Sequence, residues 1–189
     1  MAALLEILDL NVGFSTEDGV VQAVRGVDLQ VNDGDVFAIV GESGSGKSVT
    51  ALSVLGLHQK SRTTMTGRIM WQGEDLVAAT DERMRQVRGA EIAMIFQDPL
   101  SALNPVYTVG RQIIEMVRAH GETSKSAARE RAIEMLDLVG IPQPKVRVDN
   151  FPHEFSGGMR QRAMIAMALA CDPKLVIADE PTTALDVTV

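Results

Sequence analysis

The segment Gly41-Glu-Ser-Gly-Ser-Gly-Lys47-Ser48 decides the predicted fold. It fits the pattern G-x-x-x-x-G-K-[ST], and the apolar run Val36-Phe-Ala-Ile-Val40 just before it predicts a buried strand. A helix is predicted to follow, from about Lys47 to Leu57. Glycines let backbone N–H groups fold around phosphate oxygens, and the start of a helix adds partial positive charge. The segment therefore predicts a nucleotide-phosphate cradle in an α/β fold.

Each position of this cradle has an expected part in binding. Lys47 is expected to reach the β- and γ-phosphates, and the Ser48 hydroxyl is expected to ligate Mg²⁺. A chance glycine-rich turn is the alternative, but four fixed positions together with the strand–helix context argue against it. The residues predicted to bind nucleotide here are Gly41, Glu42, Ser43, Gly44, Ser45, Gly46, Lys47 and Ser48.

An acidic pair follows a second apolar run near the end of the chain. Leu175-Val-Ile-Ala178 predicts a buried strand, and Asp179 and Glu180 come directly after it. Ligands of parallel α/β sheets bind at the carboxyl ends of the strands. Asp179 is therefore predicted to face Mg²⁺, and Glu180 to orient and deprotonate an attacking water. A solvated strand end is the alternative, and the cradle upstream favours the functional interpretation.

Composition excludes several classes of protein. The chain has 189 residues, of which 46% are hydrophobic and 23% charged, so it can bury a real core and is not a disordered segment. A formal net charge of −7 argues against a protein that binds nucleic acid by neutralising phosphates. The single cysteine, Cys171, excludes a disulfide framework. No segment is apolar for long enough to span a membrane, and the N-terminus lacks the features of a signal peptide.

Hydrophobic spacing predicts alternating strands and helices with a helical stretch inserted between them. The charged residues Arg129, Glu130 and Arg131 are expected on a solvated helix face. The predicted strands are 4–12, 27–31, 36–40, 68–71, 91–96 and 175–178, and the predicted helices are 47–57, 80–87, 109–120, 124–139 and 158–170.

The run Phe155-Ser-Gly-Gly-Met-Arg-Gln-Arg162 resembles the signature sequence of ABC ATPases. Gln97 is similar to the Q-loop glutamine, Ala184-Leu-Asp186 to the D-loop, and Phe14 to the aromatic residue that stacks on adenine. The segments 97–109, 152–162 and 181–188 resemble the ATPases of dipeptide and oligopeptide importers. Met159 and Phe155 depart from the general ABC pattern, and both departures resemble a variant found in one of the two paired ATPases of peptide systems.

This resemblance implies an α/β P-loop NTPase fold with an antiparallel β subdomain and a helical subdomain. It implies one ATP-binding domain over 1–189, with the helical subdomain at about 100–155 and the C-terminal part of the core missing. The expected ligands are ATP and Mg²⁺, the metal being held by Ser48, Gln97 and Asp179. Gln97 and Glu180 are the expected catalytic residues.

The resemblance also implies partners. Ser156, Gly157 and Gly158 would bind the ATP held by a second ABC ATPase, expected to be a homologue that forms a heterodimer with this chain. Two membrane permease subunits and, indirectly, a solute-binding protein complete the expected assembly, which uses no nucleic acid. The chain would lie at the cytoplasmic face of the cell membrane as a peripheral subunit, energising import of peptides or of related nickel or glutathione cargo.

Two alternatives remain open. One is an ABC ATPase that works on DNA or ribosomes without a permease. The other is a nucleotide-binding fragment that hydrolyses ATP poorly, because the family has a histidine beyond the D-loop and none follows His153 here. On this interpretation the chain is expected to be truncated within the D-loop.

Overall fold

The computed structural model describes residues 3–121 and 124–180, and the chain forms two compact units, 1–85 and 86–189. The first unit is built mainly from strands. Its elements are β1 (Leu5–Thr16), β2 (Gly19–Val31), α1 (Lys47–Val54), β3 (Thr63–Trp71), β4 (Glu74–Asp75) and most of α2 (Asp81–Val87).

The strands of the first unit form one antiparallel sheet in the order β2-β1-β3-β4. Alternating apolar residues place one face of this sheet in the core, where Ile7, Ile69 and Trp71 are at most 1% exposed. The ladder is interrupted near Asp9, which has a φ of 47°. A Cβ atom at Gly67 would lie 2.3 Å from the Asp9 carbonyl oxygen, so glycine is required where β3 passes this irregularity. The expected antiparallel β subdomain is confirmed.

The strand predicted at residues 36–40 is wrong. This run has no regular secondary structure, and Val36 and Val40 are almost fully exposed, at 102% and 93%. Its backbone makes no hydrogen bond to any residue that the structure describes. A strand needs a hydrogen-bonded neighbour, and an apolar run without one has nothing to hold it extended or to cover it.

The second unit is built mainly from helices. Its elements are β5 (Ile92–Ile95), α3 (Pro99–Ala102), α4 (Val109–His120), α5 (Lys125–Leu138), α6 (Pro144–Arg147), a 3₁₀ turn (Pro152–Glu154), α7 (Gly157–Leu169) and β6 (Leu175–Ala178). Thr108, Ser124 and Ser156 cap α4, α5 and α7, since each side-chain oxygen accepts a hydrogen bond from a first-turn N–H.

Helices α4, α5 and α7 pack around one apolar core. The repeat Val109, Ile113 and Val117 faces inward on α4, and all three are at most 9% exposed. Ala128, Ala132 and Leu136 do the same on α5. Within the described part of the chain, no helix has the combination of length and apolar character required to cross a membrane.

Strands β5 and β6 pair in parallel, with Ile92 opposite Leu175 and Ile95 opposite Ala178. The four residues of β5 are buried, whereas β6 alternates and leaves Val176 37% exposed. The prediction of a strand at 175–178 is confirmed, but the prediction that it is buried is wrong. Among the described residues β6 has a strand neighbour on one side only, so its other side is not covered.

The prediction of a solvated face at 129–131 is confirmed for Glu130, which is exposed, and for Arg129, whose side chain is 42% exposed, but it is wrong for Arg131, whose side chain is 23% exposed. Arg131 donates to the Ala170 carbonyl oxygen at 3.1 Å and to Asp172 Oδ1 at 2.6 Å, so it ties α5 to the end of α7. Arg129 forms two hydrogen bonds to the Asp149 carboxylate, at 2.8 and 2.6 Å. This paired geometry lowers the pKa of Asp149 and raises that of Arg129, chiefly through the side-chain hydrogen bonds.

Candidate functional site

The segment 41–48 forms an exposed loop that leads into α1. Lys47, the first residue of the helix, turns its Nζ atom back to the carbonyl oxygens of Gly41 and Glu42, both at 2.9 Å. Gly44 and Gly46 have φ angles of 80° and 94°, which favour glycine strongly. A Cβ atom at Gly46 would also lie 2.6 Å from the Ala23 carbonyl oxygen. The Lys47 side chain thus links the end of the loop to its beginning.

The start of α1 suits an anion. Gly46 is its N-cap and supplies no side-chain oxygen to the first-turn N–H groups, and the first turn contains no acidic residue. Other helices of this chain use serine or threonine at this position. A helix start whose N-cap residue has no side-chain oxygen, at the positive end of the helix dipole, is an arrangement that binds phosphate oxygens. The observed loop therefore fits the phosphates of a nucleotide.

Gln97 and the acidic pair lie together at the carboxyl end of β5 and β6. The Asp179 N–H donates to the Ile95 carbonyl oxygen at 2.9 Å and extends the parallel ladder by one residue. Gln97 Nε2 donates to Glu180 Oε2 at 2.8 Å, although the two residues are 83 positions apart. Glu180 has a φ of 46°, an uncommon conformation for a residue with a side chain. Such backbone conformations occur at active sites, although Asp9, Gln72, Gln143 and Asp172 of this chain have them as well.

The Asp179 carboxylate and the Gln97 amide oxygen, both in the second unit, are ligand types that Mg²⁺ prefers. Ser48, the third predicted metal ligand, lies in the first unit. Residues 3–121 and 124–180 contain no group of three or more histidine, cysteine, aspartate or glutamate side chains arranged to hold a metal ion by themselves. This donor set fits a Mg²⁺ ion that keeps waters and binds phosphate oxygens, rather than one enclosed by protein ligands.

Ser156 and the two glycines after it begin α7. The Ser156 hydroxyl oxygen accepts the Met159 N–H at 3.3 Å, which leaves its O–H free to turn toward a ligand. A Cβ atom added at Gly157 or Gly158 would meet nothing within 4 Å, so the helix start opens to its surroundings. Arg160 donates to the Phe155 carbonyl oxygen at 3.0 Å and holds the preceding turn against the helix.

Phe14 lies on β1, half-buried, between Val21 of β2 and Thr63 of β3. The His58 ring contacts the Phe14 ring in an edge-to-face arrangement, with ring centroids 5.3 Å apart. His58 Nε2 is in turn within 3.0 Å of the Val49 carbonyl oxygen of α1. Sequence reasoning missed this contact, because nothing in the spacing of residues 14 and 58 indicates it.

The predicted site residues fall on both units. Phe14 and the 41–48 loop belong to the first, and Gln97, Ser156, Asp179 and Glu180 to the second. The structure brings Gln97 and Glu180 together and places Phe14, the cradle and the α7 start at exposed or half-buried positions. The predicted D-loop at 184–186 lies outside the described residues.

A family model described as ABC transporter matches residues 24–183. The chain belongs to the ABC transporter family. It is 56% identical over 187 residues to the oligopeptide transport ATP-binding protein OppD of Bacillus subtilis, covering 98% of this chain and 52% of that protein. It is 51% identical to the dipeptide transport ATP-binding protein DppD of Escherichia coli, covering 99% of this chain and 57% of that protein. The chain thus spans about half the length of the curated relatives it matches.

Solved ABC cassettes have the same fold. The dimeric structure of MJ0796, a bacterial ABC transporter cassette, matches with a TM-score of 0.85 at 27% identity, covering 96% of this chain and 76% of that chain. A post-hydrolysis state of MJ0796 bound to ADP and Pi matches with a TM-score of 0.85 at 26% identity, covering 97% and 76%. The resemblance to ABC ATPases and the predicted P-loop NTPase fold are therefore confirmed.

Proposed function

We propose that this chain is the ATP-binding part of a subunit that hydrolyses ATP to energise import of dipeptides or oligopeptides. The hydrogen bond between Gln97 and Glu180 carries the hydrolytic part of this proposal, because it puts a carboxylate and an amide at the carboxyl end of a parallel strand pair. The ABC transporter family and relatives named as oligopeptide and dipeptide transport proteins support the cargo class.

Binding begins at the 41–48 loop. The backbone N–H groups of the loop and of the first turn of α1 would hold the phosphates, and Lys47 would exchange its contacts with Gly41 and Glu42 for phosphate oxygens. Phe14, steadied by His58, would stack on the adenine. Bound Mg²⁺, held by Ser48, Gln97 and Asp179, would neutralise charge on the phosphates.

Hydrolysis would be assigned to Glu180. Its carboxylate would orient a water and accept its proton. Gln97 would hold both the carboxylate and the water in the positions that the attack requires.

Partner subunits complete the proposal. The exposed α7 start at Ser156, Gly157 and Gly158 would meet the γ-phosphate bound to a second, homologous ATPase, so that ATP joins the two subunits. The helices between residues 100 and 155 of this single ATP-binding domain would contact two permease subunits at the cytoplasmic face of the membrane, and a solute-binding protein would deliver the cargo outside.

Two variants of the full-length subunit test the assignment. Lys47→Ala should lose ATP binding, whereas Glu180→Gln should keep it and lose hydrolysis by at least about 100-fold, the usual size of a general-base contribution. Lys60→Ala and Glu82→Gln make the same chemical changes at exposed positions outside the site and should behave like the parent.

The readouts are equilibrium ATP binding, phosphate release and ATP-driven peptide uptake in vesicles that contain the permeases. Hydrolysis by Glu180→Gln at the parent rate would refute the choice of base. Tight binding to DNA or ribosomes without permease-dependent uptake would refute the transport function.

A further inference from the structure

His58 connects two parts of the first unit that the proposed function uses separately. Phe14, assigned to the base, lies on β1, whereas the phosphate loop leads into α1. The His58 ring meets the Phe14 ring edge to face, and its Nε2 atom lies 3.0 Å from the Val49 carbonyl oxygen. Val49 follows Ser48 directly in the first turn of α1. One side chain therefore contacts both the base residue and the start of the phosphate-binding helix.

A set of three polar atoms fixes the orientation of the His58 ring. The Ser53 hydroxyl donates to the Val49 carbonyl oxygen at 2.7 Å, and Ser53 Oγ lies 2.9 Å from His58 Nε2. A carbonyl oxygen can only accept, so its contact with Nε2 requires the ring hydrogen on that nitrogen. Ser53 is 2% exposed, so water does not compete for these contacts. Nε2 is thus held against α1, and the rest of the ring is directed toward Phe14.

The turn that begins with His58 is tied to β1 as well. The Arg62 carbonyl oxygen accepts the Ser15 N–H at 2.8 Å. The Thr63 hydroxyl donates to the Gln59 carbonyl oxygen at 2.9 Å, and the Arg62 N–H donates to the same oxygen at 3.0 Å. These bonds hold the turn against the strand, so the backbone at His58 is fixed relative to β1.

The strands by themselves support Phe14 weakly. Its ladder partners are Val21, which is 55% exposed, and Thr63, which is half-buried. A phenylalanine near the end of a strand can adopt more than one rotamer, and each rotamer presents the ring differently to a ligand. An edge-to-face partner stabilises one of these positions. A ring that is already ordered costs less binding free energy when a base stacks on it.

We infer that His58 is a positioning residue for ATP: its ring holds Phe14 at a fixed distance from the start of α1, so that base and phosphates are bound together. The inference rests on the proposed function for the roles of Phe14 and the 41–48 loop. His58 acts through Phe14 and α1 rather than by touching the nucleotide. Its contribution therefore appears only for a ligand that carries both a base and phosphates.

Binding of ATP and of inorganic tripolyphosphate to the full-length subunit, measured by calorimetry, tests this inference. His58→Ala should raise the Kd for ATP by about 3- to 10-fold, which is the size of one edge-to-face ring contact. The Kd for tripolyphosphate should not change, because the phosphate loop is intact. Unchanged tripolyphosphate binding also shows that the variant is folded.

Two further variants separate the ring from its hydrogen bonds. His58→Phe keeps an aromatic ring and should bind ATP nearly as tightly as the parent. His58→Gln keeps an N–H donor without a ring and should behave like His58→Ala. Gln59→Ala is the matched control, since this exposed side chain is next in the chain and has no ring to pair with Phe14. It should leave the Kd for both ligands unchanged.

A double-variant cycle links His58 to Phe14. In the Phe14→Ala background, His58→Ala should raise the Kd for ATP no further, because the ring that it positions is absent. An equal loss in both backgrounds, an equal loss of tripolyphosphate binding, or parent-like ATP binding by His58→Gln would each overturn the inference. A His58→Phe variant as weak as His58→Ala would overturn it too.

The two proposals fail separately. A subunit that hydrolyses ATP and drives uptake, but whose ATP affinity does not depend on His58, would refute the positioning role and leave the function standing. A subunit that loses ATP affinity in His58→Ala, but whose parent drives no peptide uptake, would refute the transport function and retain the positioning residue.

Discussion

Substitution of Gly110 by alanine should destabilise the second unit, contrary to the usual effect of this change in a helix. Gly110 is the second residue of α4, and its N–H donates to the Val148 carbonyl oxygen at 2.9 Å. The Val109 N–H donates beside it to the Asn150 carbonyl oxygen, also at 2.9 Å. A Cβ atom at Gly110 would lie 2.2 Å from Val148 Cγ2 and 2.4 Å from the Val148 carbonyl oxygen.

The size of the effect follows from this contact. Ordinary contact needs at least 3.4 Å, so the backbone segments must separate by about 1 Å. Overpacking of this kind costs about 1–3 kcal/mol, and weakening the two backbone hydrogen bonds adds about 1 kcal/mol each. The helix propensity of alanine offsets up to about 1 kcal/mol. The free energy of unfolding should therefore fall by about 2–4 kcal/mol, which lowers the Tm by about 5–15 °C.

Gly158→Ala is the matched control, because Gly158 is the second residue of α7 and a Cβ atom there would meet nothing within 4 Å. It should leave stability unchanged or raise it by up to about 1 kcal/mol. Urea titrations and thermal melts followed by far-UV circular dichroism measure both variants. If Gly110→Ala proves as stable as the parent, or if the two variants change stability equally, the steric argument is refuted.

Three further outcomes follow from the contacts around the site and core. Gln97→Ala removes the hydrogen bond to Glu180 and should lower the ATP hydrolysis rate by about 10-fold or more. ATP affinity measured without Mg²⁺ should change little, and a parallel loss of that affinity would contradict a role in aligning the carboxylate. Phe14→Ala should weaken ATP binding by about 1–2 kcal/mol and leave binding of inorganic tripolyphosphate unchanged, as measured by calorimetry, because only ATP carries a base to stack. Burial raises the pKa of the Cys171 thiol, so its alkylation by iodoacetamide should be slow in the folded protein at pH 8 and much faster in urea. Equal alkylation rates in the folded and the urea-unfolded protein would show that the thiol is not protected.

The elements with local signals could be predicted from sequence. The serines and threonine before α4, α5 and α7 supply side-chain caps, and the apolar spacing on α4 identifies its buried face. The phosphate cradle could be predicted because its glycines and lysine all lie within the eight residues 41–48. The short helix α6 was missed, although Pro144 at its first turn is a typical helix-start residue.

The predictions that proved wrong share a physical cause. Each depends on contacts with residues far away in the sequence. Val36–Val40 has the composition of a buried strand, but burial requires a neighbouring strand that its own residues cannot specify. The ion pair of Arg131 joins Asp172, 41 positions away, so the local sequence around Arg131 resembles any solvated helix face. Gln97 and Glu180 were each identified by resemblance, whereas their hydrogen bond emerges only from the fold.

The parallel pairing of β5 with β6 has a consequence for the order of folding. Closing a segment of 83 residues costs about 4 kcal/mol of chain entropy, whereas the α4–α5 hairpin and the β1–β2 hairpin close over short distances. These local structures should therefore form first and the β5–β6 ladder late. During refolding, protection of the β5 amides from hydrogen exchange should lag behind that of α4 and α5. In that interval Gln97 and Glu180, which closely follow β5 and β6, would not yet be held together by their hydrogen bond.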